Sequence, residues 1–109
     1  MIDWDRIREL RAEIGADDFV EVAAMFLKEA DEAVARLSSD AVAKAMEADL
    51  HFLKGAALNL GFHALSALCQ DGERSAASGD TGVDLDAVRA AYFASKEAFE
   101  REMPGVFAA

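Results

Sequence analysis

The sequence predicts an all-α fold: an antiparallel up-down-up-down four-helix bundle with a short additional N-terminal helix. Three observations carry that prediction. The helix formers Ala, Leu and Glu dominate a chain of 109 residues whose one proline is Pro104. Apolar side chains recur at i, i+3, i+4 and i+7 and never alternate with period two, so no sheet is expected. Turn residues cluster at four places, "IGADD" (14–18), "SSD" (38–40), "LGFH" (60–63) and "SGDTGVD" (78–84). They leave five helical pieces, and short connections between long amphipathic helices make antiparallel neighbours.

The first piece, about residues 3–13, turns Trp4, Ile7 and Leu10 inward and serves as a lid on one end of the bundle. Gly15 is expected to close it as a left-handed cap, and Asp17 to cap the next helix. That second helix has the clearest period in the chain: Phe19, Val22, Ala23, Phe26, Leu27, Ala30, Ala33, Val34 and Leu37. It is expected to end near Leu37, with Ser39 or Asp40 capping a third helix over about 41–60. The third carries Met46, Leu50, Leu53, Ala57 and Leu60 on one face, and Gly61 closes it. The fourth, about 62–77, repeats the theme with Leu65, Leu68, Cys69 and Ala76. Asp84 is expected to cap the fifth, whose stripe is Leu85, Val88, Tyr92, Ser95 and Phe99.

Residues 1–109 suit one domain with one core, since 53% of them are hydrophobic and no linker or repeat divides them. The formal charge of −10 would repel a polyanion, which argues against nucleic acid and anionic membrane surfaces as partners. A single cysteine, Cys69, agrees with a reducing compartment. No basic, apolar leader opens the chain and no apolar run approaches a membrane span, so a cytoplasmic protein is expected. The initial Met1 favours a free-standing chain over a fragment.

The third helix bears the candidate chemistry. At roughly 100° per residue, with Met46 as zero, the core positions fall within roughly 40° of the inward direction. His51 lies at roughly 140°, Gly55 at roughly 180°, Leu58 at roughly 120° and Lys54 at roughly 80°. Phe52 and Asn59 lie on the other flank, at roughly −120° and −140°. His51 therefore points to solvent, and Gly55 leaves open space one turn further on. A glycine costs about 1 kcal/mol relative to alanine inside a helix, and access to the ring is a reason to accept it. Neutral imidazole is a competent nucleophile near pH 7. Lys54, three residues on, is placed to meet negative charge acquired by that ring, or to pair at rest with Glu47 or another surface acid. Phe52 and Leu58, exposed apolar groups bracketing the histidine, suggest a contact surface.

These residues, "HFLKGAALNLG" from His51 to Gly61, resemble the phosphorylation motif of histidine-containing phosphotransfer (HPt) domains, H-x-x-K-G-[small]-[small]-x-x-[apolar]-G. "LSALCQDGE" is similar to the family's L-x-x-L-C-x-x-L-E, with Gly72 where the family usually has an apolar residue. "IGADDF" and "FLKEADEAVARL" resemble its second helix and the turn before it. The likeness covers roughly residues 7–77. It implies a phosphorelay carrier in which His51 is the phosphoacceptor, Lys54 steadies the phosphate and Gly55 permits approach. It implies response-regulator receiver domains and a hybrid histidine kinase as partners, with docking through Phe52, Leu58 and Asn59 and through second-helix residues left unassigned. The domain would be a monomer without a cofactor, the Mg²⁺ residing on the receiver. Gly72 is expected to thin the core beside the third helix or to loosen the fourth.

Other readings are weaker. No Gly-rich phosphate loop or ATP-binding domain fits in this length, so no kinase activity is expected. His63 lacks a lysine and glycine at the needed spacing and is expected to be a surface or cap residue. A metal site from His51, His63 and Cys69 would need ligands that converge, and the E-x-x-H pattern fails because Ala48 stands three residues before His51. Cys69 is expected to be a small buried hydrophobe. The alternative function is an adaptor that binds a signalling partner through the same face without carrying phosphate.

Overall fold

A computed structural model describes residues 2–106 and contains five helices: α1 (Trp4–Ile14), α2 (Ala16–Arg36), α3 (Ala43–Asn59), α4 (His63–Ala77) and α5 (Leu85–Val106). Met1, on which the expectation of a free-standing chain rests, lies outside the described residues. The long helices α2 to α5 run alternately up and down, with α3 and α4 the most closely packed pair. Among the described residues there is no strand, only an isolated bridge between Ile2 and Phe62. The bundle is long and narrow, 48 × 21 × 20 Å.

The apolar stripes face inward as their spacing requires. Phe19, Ala23, Ala30, Ala33, Val34 and Leu37 are buried from the α2 side, and Met46, Leu50, Leu53, Ala57 and Leu60 from α3. Leu65, Cys69 and Ala76 of α4 meet Leu85, Val88, Tyr92, Ser95 and Phe99 of α5 in the same core. At one end Trp4 stacks on Phe99 with ring centroids 5.8 Å apart, and Phe62 meets the same ring edge-on. The Asp3 amide donates to the Gly61 carbonyl at 2.7 Å. So α1 does close the end of the bundle where α3 turns into α4.

The helix ends differ from expectation in three places. Gly15 has φ 91°, but its ψ of 149° is extended, not left-handed helical. It is the single residue between α1 and α2 and the cap of both, so Asp17 is not an N-cap. Asp17 and Asp18 sit in the first turn of α2, where carboxylates complement the helix dipole. Third, α3 starts at Ala43 after Val42, not after Ser39 or Asp40. Ser38 takes the turn instead: its hydroxyl oxygen accepts from the Asp40 amide at 3.2 Å and its carbonyl from the Ala41 amide. The expected cap of α5 is present, with Asp84 Oδ1 accepting from the Ala87 amide at 3.0 Å.

Gly61 matters most for the site. Its φ of 70° and the bonds from the Phe62 amide to the Ala57 carbonyl and from the Gly61 amide to the Leu58 carbonyl form a Schellman motif. A Cβ on Gly61 would lie 2.6 Å from the Asp3 carbonyl oxygen. The turn therefore needs glycine both for its conformation and for the passage of the chain leading into α1.

Candidate functional site

Burial of Leu50, Leu53, Ala56 and Ala57 sets the rotation of α3 and leaves His51, Phe52 and Leu58 outside. The His51 side chain is 68% exposed. A Cβ added to Gly55 would meet nothing within 4 Å, so the ridge one turn beyond His51 is open.

The partner of His51 is Glu73, the last residue of "LSALCQDGE", to which the sequence assigned no role. His51 Nδ1 lies 2.6 Å from Glu73 Oε1, and Lys54 Nζ lies 2.7 Å from Glu73 Oε2. Lys54 also donates to Gln70 Oε1 at 3.0 Å. So Lys54 pairs with an acid of α4, not with Glu47. The hydrogen bond from Lys54, with that from His51, outweighs partial burial and holds the Glu73 carboxyl below the usual range. Glu73 is therefore ionised at neutral pH and can only accept hydrogen bonds. The proton must sit on His51 Nδ1, which leaves the lone pair of the neutral ring on Nε2. Among the described residues nothing is hydrogen-bonded to Nε2.

A sequence signal for Glu73 existed. The α3–α4 hairpin is nearly symmetrical about Phe62: His51 and Glu73 each lie eleven residues from it, Lys54 and Gln70 each eight. Two antiparallel helices with matched phases bring such pairs face to face. The phase of α4 could not be assigned closely enough from its apolar stripe, because Gly72 interrupts that stripe.

The surroundings divide the expected docking residues. Phe26 and Glu29 of α2 join Phe52, Gly55 and Asn59 around one recess beside His51. They are the α2 residues that face His51 across this recess. Lys44, Glu47, Ala48 and Glu73 bound a second recess on the other side of the ring. Arg36 lies over the Phe52 ring at 5.6 Å and 3.5 Å from Asp49. Leu58 belongs to neither recess. It lines a hollow with Asp3, Arg6, His63 and Ser66 at the α1 end, because its direction on α3 is on the α4 side. His63 is an exposed residue opening α4, 3.3 Å from Asp3 Oδ2. Cys69 is fully buried, and that burial pushes its thiol up to about 12, so it is a packing residue.

The family model described as the Hpt domain matches residues 16–103. The chain belongs to the Hpt domain family. The match starts with α2 and ends within α5, so it spans the four long helices and leaves α1 outside. Neither a curated protein nor a solved structure matches the chain. Hpt domains are helical bundles with a phosphotransfer role in two-component signalling, carriers without kinase activity of their own that interact with receiver domains and histidine kinases. No described helix is long and apolar enough to cross a membrane.

Proposed function

We propose that this Hpt domain is a phosphorelay carrier in which His51 takes a phosphoryl group on Nε2 from a receiver-domain aspartate and passes it on. The observation that carries the reading is the 2.6 Å contact between Nδ1 and the Glu73 carboxylate on a ring otherwise open to solvent. The lone pair of Nε2 attacks phosphorus, and the P–O bond to the aspartyl carboxyl breaks with its electrons remaining on that carboxylate. The ring keeps its Nδ1 proton and becomes positively charged. Glu73 holds the reactive tautomer beforehand and stabilises that charge afterwards, as a buried carboxylate does for a catalytic histidine elsewhere. Lys54 keeps Glu73 ionised and in place at rest, and lies within a side-chain rotation of an incoming anion. Phosphoryl transfer depends on positioning and charge neutralisation; this chain supplies a rigid nucleophile, and the receiver supplies Mg²⁺ and the remaining charge. The domain acts as a monomer, docking through Phe52 and Asn59 with Phe26 of α2, while Leu58 contributes at the margin.

The test is incubation with a receiver domain carrying labelled aspartyl phosphate. Acid-labile, alkali-stable label is expected on the wild-type chain and none on His51→Gln, whose circular dichroism stays unchanged. Label that survives the replacement removes the assignment. A wild-type chain that binds the receiver and takes no label is the adaptor of the alternative reading.

A further inference from the structure

Two recesses meet at the His51 ring, and they are not equivalent. Side chains on a helix lean toward its N-terminus, so the imidazole is carried over the turn of Glu47 and Ala48, not over Gly55. Ala48 contributes only a methyl group to that recess. The Nδ1 edge is turned to Glu73 on α4, so Nε2 faces away from that carboxylate. The Lys54 ammonium is on the Glu73 edge, its charge matched at 2.7 Å. Arg36 is engaged by Asp49 and Phe52. Lys44 is different: it bounds the Ala48 recess, is exposed, and is in no ion pair with any described residue. It precedes His51 by two helical turns, about 10 Å along the axis and on nearly the same line.

Resting on the phosphocarrier reading, we propose that Lys44 is a positioning residue whose free ammonium draws the carboxylate-rich phosphorylation pocket of a receiver domain onto the Ala48 side of His51. A chain of net charge −10 repels such a pocket at long range. A cation two helical turns from the nucleophile, unpaired among the described residues, weakens that repulsion at a recess it shares with the carboxylates of Glu47 and Glu73. At its distance from the ring it acts on approach, not on the reacting phosphorus. Its influence reaches about one Debye length, ~10 Å at 0.1 M salt, so it belongs to the association rate and fades as salt is added.

The experiment compares two phosphoryl donors on the wild-type chain, Lys44→Glu and Lys44→Arg: a receiver domain bearing aspartyl phosphate with Mg²⁺, and phosphoramidate, which has no docking surface. At low salt Lys44→Glu is expected to lower kcat/KM for the receiver about three- to tenfold with kcat unchanged. The difference closes at high salt, Lys44→Arg behaves as wild type, and phosphoramidate labels all three alike. Equal receiver kinetics at low salt overturn the proposal, as does an equal loss with both donors. Failure of the wild-type chain to accept label from either donor overturns the phosphocarrier reading itself, and is recognised because it does not depend on residue 44.

Discussion

At Gly55 the demands of folding and of access oppose each other. A Cβ there meets nothing within 4 Å, so no packing reason requires glycine. Its φ is not in the positive region that other residues avoid. Gly55→Ala should therefore stabilise the domain by about 0.5–1 kcal/mol, read as a higher urea midpoint with unchanged slope. The same variant should take phosphate more slowly from a receiver domain, because the added methyl stands on the ridge beside His51. Faster unfolding would place a packing role at Gly55 that the geometry does not show. The contrast with His51 is one of distance: the ring is positioned by a carboxylate on another helix, whereas the glycine acts on its own helix one turn away.

Among the elements, the α3–α4 hairpin decides the site, and Gly72 shows how closely it is packed. The sequence raised the expectation of a thinned core or a loosened α4 there. Neither is found: α4 runs unbroken from His63 to Ala77 and Gly72 is buried. A Cβ at Gly72 would lie 2.9 Å from Val83 and 3.0 Å from a Leu50 methyl, so those side chains fill the volume that an apolar residue at 72 would take. Alanine would gain helix propensity and press on both neighbours. Leucine, the larger change, should overpack the interface and destabilise by about 1–3 kcal/mol despite its better propensity. Chemical denaturation of Gly72→Leu checks this; an unchanged or raised midpoint would mean that Val83 and its loop yield without cost. Because Leu50 adjoins His51 in sequence, the same variant tests whether the packing under α3 keeps the imidazole within reach of Glu73.

At the scale of the molecule, carboxylates that gather hydrogen bonds from a neighbouring helix fasten helices together, and Asp31 and Glu73 are two of them. The Tyr92 hydroxyl donates to Asp31 and lies 3.2 Å from the Leu27 carbonyl, and Lys96 approaches the same carboxylate at 3.0 Å, joining α5 to α2. Burial raises the Asp31 carboxyl, but the hydrogen bonds from Tyr92 and Lys96 outweigh it and leave it lowered. Glu73 is lowered by Lys54 and then His51, joining α4 to α3. A carboxyl whose folded value lies below its unfolded one stabilises the fold above the unfolded value, about 3.9 for Asp and 4.3 for Glu. That contribution is lost as pH falls through the folded value. General repulsion in so acidic a chain works the other way, since protonation relieves it. The contribution of Glu73 is therefore read as a difference: the gap in stability between wild type and Glu73→Gln should be larger at pH 6 than at pH 3.5. A gap independent of pH would show that the carboxylate charge contributes nothing to holding α3 and α4 together.

The sequence by itself determined the five helices, the inward stripes, the glycine turn at 61 and the outward direction of His51. Each depends on periodicity or on a local backbone conformation, and both are properties of consecutive residues. It misplaced the starts of α2 and α3, because a lone Gly15 and the Ser38 turn do the work that capping side chains were expected to do. Only the tertiary structure decided what the histidine touches. The Nδ1 contact, the pairing of Lys54, the α2 wall of the recess beside the ring, the separation of Leu58 and the filling of space at Gly72 all depend on the relative rotation of neighbouring helices. That rotation is set by many side chains packing at once, and no single segment of the chain encodes it.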